Sequence, residues 1–179
     1  MSKRKVSVED IIAVLFQPIP QFKITPEKSA LLLMNFLEYK PFFVTKAVDV
    51  GMPEAEANEA LNDFEIRVRK AADNAGKLLK ACREKSFEIV HVRTELSSEQ
   101  TENAEHAERK SSLVMPAETQ TLPFYEAVKP KKGELVFSQP SYDAFTDTRL
   151  DFVLRNMHVD SLIVCGLMTD QGVLLSTIQ

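Results

Sequence analysis

The side chains of this sequence that could do chemistry are few, and no local spacing brings them together. His91, His106 and His158 show no H-x-H, H-x-x-H or D-x-H arrangement, so neither paired imidazoles nor an imidazole and a carboxylate are placed to share a metal ion. Of the two cysteines, Cys82 falls on a helical period and Cys165 inside the strand-like run SLIVCG, where a thiol packs as a small hydrophobe rather than acting as a nucleophile. Glu38, Asp143 and Asp170 are carboxylates that could donate or accept a proton, and Asp170 reads first as a helix N-cap. The place where a reacting group would be expected is VDSLIVCGLMTDQGVLLSTIQ, residues 159–179. It reads as a buried strand turning sharply into a helix, a junction that holds a nucleophile in many α/β enzymes, and here it holds Gly172.

The elements that must position these residues follow from apolar periodicity. The sequence has 179 residues and 44% hydrophobic content, which suits one globular domain with a substantial core. SVEDIIAVLF reads as a short helix, and with the PIP-containing link it makes residues 1–25 an N-terminal helix and linker ahead of a domain over 26–179. SALLLMNF (29–36) is an unbroken apolar run of the kind that forms a central parallel strand covered on both faces. Residues 53–85 predict one helix with Pro53 in its first turn and Leu61, Phe64, Val68, Ala71, Ala75, Leu78 and Cys82 on its sheet-facing stripe. FEIVHVR (87–93) is the next strand, and the polar stretch TELSSEQTENAEHAERKSS after it reads as a solvated loop, with a lid as its functional alternative. ELVFSQ gives a short strand, DTRLDFVLRNM a helix capped by Thr146 or Asp147 with Leu150, Val153, Leu154 and Met157 on one face, and SLIVCG a further buried strand.

Alternating strands and helices predict an α/β fold, a three-layer α/β/α arrangement around a Rossmann-like parallel sheet. In such a sheet every carboxyl end points to one edge, and ligands bind there. Asn35 and Phe36, Gln139, and the segment Met168–Gly172 are the residues that this topology brings to that edge.

These segments also resemble a family, the isochorismatase-like hydrolases, which include nicotinamidases, N-carbamoylsarcosine amidases and isochorismatase itself. SALLLMNF resembles the family's ALLVIDMQ-type first strand, QPSYDAF is similar to its K-P-x-Y-S-A-F element, and GLMTDQGV resembles G-V-x-T-D-x-C-V, all in the family's order. The resemblance implies the family's fold, with its last strand and helix expected to be missing. It also implies that the Asp, Lys and Cys of the amidase triad correspond to Asn35, Gln139 and Gly172. In that triad a thiolate attacks a carbonyl, the carboxylate handles its proton and the ammonium helps hold the negative charge. Members resembling isochorismatase proper also carry glycine at the third position and use the Asp to protonate a vinyl ether. Asn35 is therefore the decisive departure, since a carboxamide cannot serve as a general acid. The expected pocket comprises Asn35, Phe36, Gln139, Tyr142, Met168, Thr169, Asp170 and Gly172, with no metal and no cofactor.

Three functions fit these residues: a non-catalytic family member binding a small ligand or a protein, a hydrolase of a small amide or vinyl ether using Glu38, Asp143 or Asp170 as substitute acid, and a purely structural oligomer subunit. A net charge of −4 from 22 basic and 26 acidic residues gives no reason to expect nucleic acid or an anionic membrane surface. IIAVLF is too short to span a bilayer and follows Glu9 and Asp10, unlike a signal or transit peptide, so a cytoplasmic protein is expected. The sequence ends inside a helical pattern that relatives continue, which leaves a sheet edge and apolar surface to be covered. Self-association, as a homo-oligomer, or poor solubility is the expected outcome, and a monodisperse monomer in light scattering at high concentration would contradict it.

Overall fold

SALLLM has no polar face, so a strand made from it is stable only where protein covers both sides. In the computed structural model, which describes residues 7–8, 24–94, 122–139, 143–146 and 148–178, this segment is β1 (Ser29–Met34), buried at every position. It pairs in parallel with β2 (Glu88–Thr94) on one side and β4 (Ser161–Gly166) on the other, and β3 (Leu135–Gln139) pairs with β2, giving the order β3-β2-β1-β4. On one face Leu31, Leu33 and Ile89 pack against Val68, Ala72, Leu79 and Cys82 of the long helix α3 (Asn62–Glu84). On the other, Leu32, Met34, Val90 and Val92 pack against Leu150 and Leu154 of α4 (Leu150–Asn156). The expected three layers are present.

Several elements differ from their sequence readings. The helix expected over 53–85 is two helices, α2 (Glu54–Ala60) and α3, separated at Leu61, whose φ of −92° and ψ of −1° open the helical path. Pro53 is the N-cap rather than a first-turn residue. The break follows from a helix that the sequence reading left out, α1 (Lys40–Asp49). Leu61 and Phe64 turn toward α1 and, with Phe43, Ala47 and Met52, line an apolar cavity of about 360 Å³ instead of continuing the sheet-facing stripe. Further along α3 the buried positions include Ala72 and Leu79, while Ala71 and Leu78 flank them. β1 ends at Met34, not Phe36, because Asn35 takes a positive φ of 56°. β4 is half-buried rather than buried, since among the described residues no strand pairs with its outer edge. Neither expected residue caps α4: Thr146 bonds to Asp143, Asp147 lies outside the described residues, and it is the Thr148 hydroxyl that accepts from the Leu150 N–H at 3.2 Å. The helix expected from SVEDIIAVLF beyond Val8, the acidic loop from residue 95, His106 and Tyr142 also lie outside the described residues. No helix among the described residues is long and apolar enough to cross a membrane.

A buried polar knot ties the second strand to its flanks. His91, fully buried, bonds through Nε2 to Glu134 at 3.0 Å. Glu134, just before β3, also accepts from Arg83 Nε at 2.7 Å, Arg83 Nη2 at 2.8 Å and the Lys131 N–H at 2.8 Å, so one carboxylate joins α3, β2 and the entry to β3. Burial alone would raise the Glu134 carboxyl, but the bonds from Arg83, Lys131 and His91 outweigh it and hold it down to about 2. Burial lowers His91 below its ordinary 6.5, against the pull of Glu134. Both shifts make the unfolded chain the better proton acceptor, so stability is full above 6.5, falls as pH drops below it, and falls again between 4.5 and about 2. Glu134→Gln is expected to cost roughly 1–3 kcal/mol at pH 7 by stranding Arg83 and His91. It should also flatten the loss below pH 4.5, which chemical denaturation across pH measures directly.

Candidate functional site

Asn35 stands where β1 stops. Its positive φ is one that asparagine tolerates better than most residues. Its N–H still bonds to the Val92 carbonyl at 2.8 Å, so the residue is anchored to the sheet while its side chain turns across the carboxyl edge. There the Asn35 Oδ1 accepts from the Thr94 N–H at 2.9 Å and from the Thr94 hydroxyl at 3.2 Å. Thr94 in turn is the register partner of Gln139 on β3, and Gln139 Nε2 donates to the Thr94 hydroxyl at 3.4 Å. Asn35 and Gln139 are both buried, so three adjacent strands place an uncharged, hydrogen-bonded chain of side chains at one edge.

The fourth segment arrives by a close approach. A Cβ on Gly166 would lie 2.5 Å from the Met34 carbonyl oxygen and 2.6 Å from the Met34 Cβ, so only glycine lets β4 pass the end of β1. The chain then makes a π-helical turn over Thr169–Val173 and enters α5 (Leu174–Ile178). Gly172, inside that turn, is buried, and a Cβ there would sit 3.6 Å from Asn35 Nδ2 and 3.3 Å from the Leu167 carbonyl oxygen. Any side chain at 172 would thus point at Asn35. The structure brings Asn35, Gln139 and Gly172 to one edge.

The other expected residues disperse. Phe36 packs into the core on the α3 face. Met168, Thr169 and Asp170 are exposed on the π-helical turn, whose N-cap is Met168, so Asp170 is not the cap expected of it. Asp143 is buried, and its carboxylate accepts from the Phe145 N–H at 2.9 Å and from the N–H and hydroxyl of Thr146. Burial would raise this carboxyl, but those bonds and one from Ser176 hold it below the carboxylate range, which makes it a loop brace rather than a proton donor. Glu38 lies by charge beside Tyr125 and Arg69, a cluster in which the Tyr125 hydroxyl donates to Glu65 at 2.8 Å. Burial pushes the Cys165 thiol up to about 11, unfavourable for a nucleophile. His158 takes a positive φ of 58° in the turn after α4. Among the described residues no group of three or more His, Cys, Asp or Glu could hold a metal ion. Thr94 was missed by the sequence reading. Its only signal is its place, the last residue of the strand beside β1.

The comparisons bear on this arrangement. Residues 61–179 match the family model described as Isochorismatase domain. The fold resembles the crystal structure of a cysteine hydrolase from Pseudomonas syringae pv. phaseolicola 1448A, at 18% identity and a TM-score of 0.59 over 89% of this chain and 68% of that one. It also resembles an isochorismatase-like hydrolase from Alkaliphilus metalliredigens, at 18% identity and 0.58 over 84% and 73%. N-carbamoylsarcosine amidase from Thermoplasma acidophilum is similar at 17% identity and 0.57 over 84% and 74%. No curated protein sequence matches the chain.

The roles of the carboxylates separate by measurement. Asp143→Ala strands two backbone N–H groups and should cost roughly 1–3 kcal/mol in urea denaturation. Glu38→Ala and Asp170→Ala should each stay within about 0.5 kcal/mol of the parent.

Proposed function

Since the chain belongs to the isochorismatase family by its match over residues 61–179, we propose that it is a non-hydrolytic member that keeps the family fold and uses the sheet edge to bind a small ligand or a partner segment. The observation that carries this reading is the neutral chain Asn35–Thr94–Gln139 beside Gly172. If these positions correspond to the Asp, Lys and Cys of the amidases, the site holds no nucleophile, no proton-exchanging acid and no ammonium, and removal of such a set costs many orders of magnitude in rate. The surroundings remain suited to the lost groups. Both Thr94 donors already converge on Asn35 Oδ1 and would serve a carboxylate equally well. A substitute acid is disfavoured by the bonds that occupy Asp143 and by the position of Glu38 beside Tyr125 and Arg69. Two free cysteines suit a cytoplasmic setting, and the outer edge of β4, which no strand among the described residues pairs, suits self-association.

The unmodified protein is expected to turn over neither amides nor vinyl ethers, while ligands that bind it raise its melting temperature saturably. The triple variant Asn35→Asp, Gln139→Lys, Gly172→Cys tests the retained frame. Gly172 has no positive φ, and its Cβ needs only a few tenths of an ångström from the Leu167 carbonyl, so the variant should fold. Its new thiol should alkylate faster than Cys82 or Cys165, with an apparent pKa below about 8.5. An unreactive thiol in the folded variant would refute the retained geometry, and robust amide hydrolysis by the unmodified protein, lost on changing Glu38, Asp143 or Asp170, would overturn the proposal.

A further inference from the structure

The polarity of the edge is set by one backbone group. The Thr94 N–H can only donate, so the Asn35 atom 2.9 Å away must be its carbonyl oxygen, and the Asn35 NH2 is the end left facing Gly172. That oxygen can only accept, so the Thr94 hydroxyl 3.2 Å away directs its proton to it. The hydroxyl is then left to accept from Gln139, which makes the Gln139 atom 3.4 Å away the amide nitrogen and leaves the Gln139 oxygen as the free end. Gln139 is 1% exposed, and among the described residues its Oε1 has no hydrogen-bond partner. A buried amide oxygen without a donor is uncommon in folded proteins and calls for a complement.

We infer that this site takes an uncharged ligand carrying both an acceptor for the Asn35 NH2 and a donor for the Gln139 oxygen, with Thr94 as the residue that orients the two amides. The inference rests on the binding function proposed above. None of the groups joined in the Asn35–Thr94–Gln139 chain carries a charge, so an ion bound among them would lose its hydration without gaining a counter-ion. A neutral ligand loses less and gains two hydrogen bonds. Thr94 is a positioning residue here, acting through the two amides.

The test uses the full chain, 15N-labelled, and follows the side-chain NH2 signals of Asn35 and Gln139, assigned from their loss in Asn35→Ser and Gln139→Leu. Four small probes separate the chemistries: 2-pyrrolidinone, neutral with donor and acceptor; N-methyl-2-pyrrolidinone, neutral with acceptor only; acetate, an anion; and pyrrolidinium, a cation. The expected result is a saturable shift of both signals with 2-pyrrolidinone, binding about tenfold weaker for the N-methyl form, as loss of one hydrogen bond gives, and no saturable shift from either ion. Thr94→Val should weaken 2-pyrrolidinone binding and Thr94→Ser restore it, whereas a residue that serves stability alone would change the melting temperature without changing the preference among probes. Saturable binding of acetate or pyrrolidinium at equal or lower concentration would overturn the ligand class while leaving a binding function intact. No shift from any of the four would overturn it too, assigning the free amide ends to water, and the binding function would then stand or fall on the thermal-shift and turnover assays.

Discussion

The burial of β1 on both faces is the constraint from which the remaining architecture follows. Six consecutive buried residues leave no polar side to face water, so helices must lie above and below the sheet. Helices on both faces require crossover connections, and crossovers make neighbouring strands parallel. Parallel strands put their carboxyl ends together, which is why Asn35, Thr94, Gln139 and Gly166 meet although they are far apart in sequence. The site exists because the core does.

Two polar networks lie at opposite extremes of electrostatic design within this frame. Arg83, Glu134 and His91 gather formal charge in a place of low solvent access, and their mutual bonds compensate the desolvation that burial imposes. Asn35, Thr94 and Gln139 occupy an equally buried place with dipoles alone. The first network is satisfied at the Glu134 carboxylate and fixes where β3 begins. The second leaves the Gln139 amide oxygen unmatched among the described residues, and an unmatched buried dipole stabilises poorly but recognises a complementary group selectively. Each network holds a buried atom unmatched among the described residues, His91 Nδ1 in the first and Gln139 Oε1 in the second, so formal charge is what separates them.

The sheet and the layers were legible in the sequence because strand periodicity and composition are local signals: SALLLM, FEIVHVR and SLIVCG announce themselves. The convergence of Asn35, Gln139 and Gly172 was legible too, since strand ends in a parallel sheet share an edge. What escaped depended on contacts between distant segments. The break at Leu61 reflects packing against α1, which Leu61 and Phe64 could not reveal by spacing, because both keep the helical period. Phe36 comes two residues after the end of β1, and the turn at Asn35 sends it into the core. Thr94 read as the first residue of the polar loop after FEIVHVR, whereas it ends β2, and its register with Gln139 gives it a role. Asp143 read as a spare acid although most of its partners, Phe145 and Thr146, are local; Ser176 comes from a segment more than thirty residues later.

The left-handed backbone at Asn35 has an evolutionary consequence. With φ at 56°, the position disfavours most side chains, and asparagine and aspartate are among the few that settle there without assistance. The codons of these two residues differ by one base. Exchange between an amide and a carboxylate at the end of β1 is therefore a step that the backbone does not resist and that one nucleotide change accomplishes. At this position the backbone sets no barrier between carboxylate and amide, so the distance between a chemically competent edge and a receptive one lies in the side chains at 139 and 172 rather than in the end of β1.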